Sequence, residues 1–196
     1  MNRVVLIALV ATVAACAAAP APLTDVLDET SGTGHLRPLE PLRFAAARPG
    51  LVATGGDFVY FSPLLVNRRG QSRHFFWVAP ASTVDRPLAG LRPVDVIAVT
   101  VLLDGVPMAL DLRPWAEVSP VSPFEVGMFR HGEYAARASA SQIARVAAAG
   151  TVELRLVDGE GRARRFTADD QNRSAWAALG PATPAAATEP VARRAD

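Results

Sequence analysis

The chain has 196 residues, with 20 basic and 19 acidic side chains, three histidines and one cysteine. Every basic side chain other than histidine is arginine, which excludes Schiff-base chemistry, a P-loop lysine and a Ser-x-x-Lys nucleophile. A single cysteine can neither close a disulfide within the chain nor build a cysteine-based zinc site, and a net charge of +1 argues against a nucleic-acid partner.

The chain opens MNRVVLIALVATVAAC. Arg3 supplies a positive n-region. The apolar run from Val4 to Val13, interrupted only by Thr12, is shorter than the roughly 20 residues a spanning helix needs, and it fits the h-region of a secretory signal. Val13-Ala14-Ala15-Cys16, an aliphatic residue, two small residues and a cysteine, resembles the lipobox of bacterial lipoproteins. The resemblance implies a diacylglyceryl group on the Cys16 thiol, cleavage before Cys16 and acylation of the new amino terminus. Residues 1–15 are then a signal peptide, and the mature protein is anchored to a membrane rather than spanning it. Ala17 stands where an aspartate would favour inner-membrane retention, so the resemblance implies the outer membrane, facing the periplasm.

Residues 17–36 are small, polar or proline-bearing and lack sustained periodicity, so residues 16–36 read as the lipidated cysteine and a flexible tether. Residues 37–180 read as one β-rich domain and residues 181–196 as a disordered tail. DFVYFSPLLV and RHFFWVA are two arms of a hairpin around NRRGQS, and Pro63 marks the first arm as an edge strand or a bulged one. VDVIAVTVLL and VPMALDL flank Asp104-Gly105, a two-residue turn signal. The first of these is apolar on both faces and is expected to be central; Pro107 puts its partner at an edge. A short strand near Glu133–Ala138 precedes a helix opened by Ser139 with Gln142 three residues on, the capping-box spacing, and ended by Gly150. TVELRLV and RARRFTA form a third hairpin, and a last helix, capped by Thr167 and Asp170, carries Ala175, Trp176 and Leu179 inward. The expected fold is mainly β (α+β), an antiparallel sandwich-like sheet of seven or eight strands with two short helices.

The run Val59-x-Phe61, Asn67-Arg68-x-Gly70, Phe75-x-Trp77 and Ser82-Thr83-x-Asp85-Arg86 is similar to uncharacterised proteobacterial lipoproteins; that resemblance implies no activity.

Catalytic chemistry has little to stand on. There is no Gly-x-Ser-x-Gly elbow, and the one thiol is assigned to lipidation. His131 with Asp111 or Glu133 and a serine could form a hydrolytic set, but nothing in the spacing selects among them. His131-Gly132-Glu133 lacks the Pro-Cys-x-x-Cys half of a deaminase zinc site, and Asp158-Gly159-Glu160-Gly161 lacks the ligand pattern of a calcium loop. No metal or cofactor is implied. Two arginine clusters remain: Arg68, Arg69 and Arg73 around one turn, and Arg162, Arg164 and Arg165 along another hairpin. Guanidinium forks suit phosphate and carboxylate, so Arg68, Arg69 and Arg73 are a candidate site for an envelope glycolipid, a peptidoglycan carboxylate or an acidic protein, against the plainer reading of a solvated face. The aromatic residues Phe58, Tyr60, Phe61, Phe75, Phe76 and Trp77 are expected in the core, with a ligand groove as the alternative. These features point to a non-enzymatic, lipid-anchored envelope protein that binds or positions another component. A periplasmic hydrolase centred on His131 and a purely structural lipoprotein are the alternatives.

Overall fold

The computed structural model describes residues 23–46, 56–85, 96–168 and 173–180. Among these residues twelve strands form one sheet: β1 (Leu23–Asp28), β2 (Thr33–Pro38), β3 (Leu42–Ala46), β4 (Asp57–Arg68), β5 (Gln71–Ser82), β6 (Val96–Leu103), β7 (Val106–Leu110), β8 (Leu112–Pro114), β9 (Phe129–Arg130), β10 (Tyr134–Arg137), β11 (Val152–Asp158) and β12 (Ala163–Ala168). Every pairing is antiparallel. The order β7-β6-β11-β12-β3-β4-β5-β10-β8 curls the sheet nearly into a barrel, so the protein is mainly β, as its sequence indicates. The strand number is higher than seven or eight because short pieces such as β8 and β9 carry no periodicity of their own.

The largest departure lies at the start. Residues 23–36 were expected within a tether, yet from Leu23 the chain is a hairpin, in register from Leu23↔Pro38 to Asp28↔Thr33. The Asp28 carboxylate accepts from the N–H groups of Thr30 and Ser31, and Gly32 turns at φ 63°, so small polar residues that suggested a tether build a turn. Strand β2 then docks along β4, from Thr33↔Arg68 to Leu36↔Leu65, and buries Thr33 and His35. The folded unit therefore begins before residue 37.

Strand β4 corrects the reading of Pro63. It is neither an edge nor bulged: β5 pairs along its whole length, with Pro63 opposite Phe76. On its other side β3 covers 58–61 and β2 covers 65–68, so Pro63 falls in the gap between two short neighbours, where no N–H is needed. The other expectations for strands fit. Strand β6 lies between β7 and β11, and β7, with Pro107, is a terminal strand.

The helix α1 (Ala140–Ala148) has the expected capping box: Ser139 Oγ accepts from Gln142 N–H at 3.1 Å, and Gln142 Oε1 accepts from Ser139 N–H at 2.8 Å. It ends at Ala149 in an extended conformation rather than at a left-handed glycine. The Asp104 carboxylate takes the following Gly150 and Thr151 N–H groups. The last helix is a 3₁₀ segment, Ser174–Leu179, without a side-chain cap; Thr167 belongs to β12, and Asp170 lies outside the described residues. Its Ala175, Trp176 and Leu179 are nonetheless buried.

Two apolar clusters lie on opposite faces of the β4–β5 hairpin. The larger contains Phe44, Phe61, Phe76, Val78, Val101, Leu154 and Trp176, with Phe61 stacked on Phe76 at 5.1 Å and edge-on to Trp176 at 5.7 Å. The smaller contains Leu64, Val66, Phe75, Trp77 and Ala135, covered by Trp115 and Phe124 from the segment that follows β8. Phe124 tilts against Trp77 at 5.1 Å, and His35 meets Trp115 edge-on at 5.7 Å. Burial on both faces explains the unbroken Phe75-Phe76-Trp77 run.

Candidate anion-binding groove

The β4–β5 hairpin closes on two residues, Arg69 and Gly70, at φ 54° and 78°. Such a turn favours Asn or Asp at its first position, as at Asp104-Gly105, where φ is 49° and 83°. Arg69 occupies the left-handed region without a short side chain that can satisfy its own backbone. Asn67, Arg68, Gln71 and Ser72, expected in the loop, extend the strands instead.

Pairing at this end brings together arginines distant in sequence. Arg68 sits opposite Gln71, and Arg73 opposite Val66. Arg137 of β10 pairs with Phe75, while Arg113 of β8 pairs with Ala135, itself opposite Trp77. All of these positions share the face of the smaller cluster. They line one groove of about 540 Å³ that contains Arg68, Arg69, Arg73, Arg113 and Arg137 beside a single acid, Glu117, with Val66, Phe75 and Val118 along its floor. Arg68, Arg69, Arg73 and Arg137 are exposed and Arg113 is half-buried. Gln71 Oε1 accepts from Arg73 at 2.9 Å. Arg113 Nε is buried without a hydrogen-bond partner.

The second arginine cluster has a different character. Arg162 pairs with Asp158 at 3.0 Å and Glu160 at 2.9 Å, Arg164 with Asp57 at 2.7 Å, and Arg165 approaches Glu153 at 4.0 Å. Burial opposes ionisation of Asp158, but hydrogen bonds from the Arg162 backbone and guanidinium and from Glu160 N–H hold its carboxyl below the usual range. Arg162 ties the turn between β11 and β12, while Arg164 and Arg165 join β12 to β4 and β11. Among the described residues the five groove arginines have no carboxylate partner. Arg113 and Arg137 escaped the sequence reading because only strand register brings them beside the hairpin.

The hydrolytic candidates are arranged otherwise. The Glu133 carboxylate is engaged by Arg130 and accepts from Ser122 Oγ at 2.8 Å. His131 is half-buried with its backbone N–H donated to Pro80 O, and Asp111 is exposed between β7 and β8. Of the aromatic candidates, Phe61, Phe75, Phe76 and Trp77 are core residues, and Phe58 lies beneath the Arg43 guanidinium at 5.3 Å. Among the described residues no cluster of three metal-ligating side chains occurs, and no helix is long and apolar enough to cross a membrane. Cys16 lies outside the described residues. The fold and groove define a mainly antiparallel β protein with an arginine-lined surface cleft. Compared with protein-family models, curated proteins and solved structures, the chain matches none.

Proposed function

We propose that this is a lipid-anchored protein of the bacterial cell envelope, held to the outer membrane through Cys16, whose groove binds an anionic group of another envelope component. The observation that carries the reading is the gathering around one cleft of five arginines that have no carboxylate partner among the described residues. Guanidinium groups not engaged by carboxylates are available to phosphate or carboxylate ligands, which they grip in a bidentate fashion. From Cys16 to Leu23 the chain can reach at most about 25 Å, so an acylated Cys16 keeps the domain beside the bilayer.

The test is recovery of bound envelope material by the full-length protein and by the Arg68→Ala/Arg69→Ala/Arg73→Ala variant, purified from the membrane fraction after crosslinking. The reading expects an anionic glycolipid or protein with the wild type and its loss with the variant. Equal recovery by both rejects the groove as the binding site. For the anchor, globomycin should accumulate an uncleaved precursor, and a Cys16→Ser protein should leave the membrane fraction; normal maturation and retention of that variant would contradict the lipid assignment.

A further inference from the structure

The register places four of the groove arginines on a regular diagonal. Taking β5 as the reference, Arg68 stands level with Gln71, Arg73 two residues further, Arg137 level with Phe75, and Arg113 level with Trp77 through Ala135. Each step crosses one strand, in the order β4, β5, β10, β8, and advances two residues on the same face. Strand spacing and rise put successive Cα atoms roughly 8 Å apart. The arginine Cα positions therefore form a staircase rather than a cluster around one point. A single carboxylate or phosphate is saturated by one or two guanidinium forks and leaves the other steps unused.

Resting on the anion-binding reading above, we propose that the staircase is a two-phosphate site. It takes a saccharide headgroup carrying two phosphate groups, one held by Arg68 and Arg73 at the hairpin end and the other by Arg137 and Arg113 at the β8 end. The midpoints of the two pairs lie roughly 16 Å apart at the Cα level. A spacer of disaccharide length suits that separation. The apolar floor of Val66, Phe75 and Val118 offers a surface for the sugar faces. Two further features fit. Gln71 restrains Arg73, and the buried Arg113 Nε is a donor still lacking an acceptor. Among the described residues Glu117 is the one like-charged group that such a ligand meets along the groove.

The experiment is calorimetric titration of the full-length protein in neutral detergent with a soluble disaccharide bearing a phosphate at each end, and with the same disaccharide bearing one. Binding through two linked contacts should favour the bisphosphate by about 100-fold or more. Arg68→Ala and Arg137→Ala, both at exposed positions and each removing one member of a different pair, should each bring the bisphosphate down toward the monophosphate affinity. Glu117→Gln should strengthen bisphosphate binding about two- to fivefold. Thermal unfolding of each variant reports whether it is folded. Equal affinities for the two saccharides, both lost in the Arg68→Ala variant, would overturn the two-phosphate site while leaving anion binding intact. Binding of neither saccharide would remove both. An acylated bisphosphate should show the same preference, and binding that needs the acyl chains would overturn the assignment to phosphate.

Discussion

At the residue scale, Arg69 sets local backbone preference against charge. A left-handed conformation costs a residue with a Cβ about 1–2 kcal/mol, and Asn or Gly relieves part of it. Arg69→Asn should therefore raise the unfolding midpoint in urea, by about 0.5–1 kcal/mol of stability, while weakening anion binding. A lower midpoint would show that the Arg69 side chain stabilises the turn. His35 makes a different prediction. Burial, then the nearby Arg37 charge, lower its pKa, with Asp28 only partly opposing them. An imidazole whose folded pKa lies below the ordinary value of about 6.5 favours the folded state fully above that value, and the advantage is lost as protonation begins to favour the unfolded chain. Thermal stability should fall as pH drops from 7 to 5, and His35→Phe should flatten that slope. An unchanged slope in the variant would place the acid sensitivity elsewhere.

At the element scale, what was legible in the sequence was local chemistry. Asp104-Gly105 specifies its hairpin within two residues, and Ser139 with Gln142 specifies the start of α1 within four. Ser139→Ala should cost about 1 kcal/mol, measured by chemical denaturation. The β1–β2 hairpin was hidden for a physical reason: among the described residues β1 pairs only with β2, and it leaves Asp25, Val26 and Leu27 exposed, so no apolar face marks it. Pro63 misled because its effect depends on which neighbour lies beside it, and that follows from how short β2 and β3 are. The same limit governs the groove. Arg68, Arg69 and Arg73 crowd one turn and could be picked out by eye. Arg113 and Arg137 join them only through the pairing of β8 with β10 and of β10 with β5. No spacing along the chain encodes that register. The two arginine-rich hairpins look alike in sequence, and only the positions of Asp57, Asp158, Glu153 and Glu160 separate a cross-strand ionic network from an open cleft.

At the scale of the whole molecule, the sheet closes far enough to keep one large core within it and leaves a second, smaller core on the outside of β4–β5. The segment carrying Trp115 and Phe124 covers that outer core and contributes Glu117 and Val118 to the groove, so the groove's shape depends on the cover. The hairpin β1–β2 supports the cover through His35 against Trp115 and Arg37 over the Phe124 ring at 4.5 Å. A chain beginning at residue 37 should therefore be less stable by about 3 kcal/mol or more in urea unfolding, since it uncovers β4 and removes His35 from against Trp115. An unchanged midpoint would show that the hairpin is not part of the cooperative unit. The groove arginines are open to anions, while those of the β11–β12 hairpin are occupied by carboxylates. The most direct measurement follows the arginine Nε–Hε resonances of the full-length protein in neutral detergent during titration with inorganic pyrophosphate. Saturable shifts at Arg68, Arg73, Arg113 and Arg137, with Arg162 and Arg164 unmoved, are the predicted result. Shifts spread evenly over all of the arginines, or absent from the groove, would contradict it.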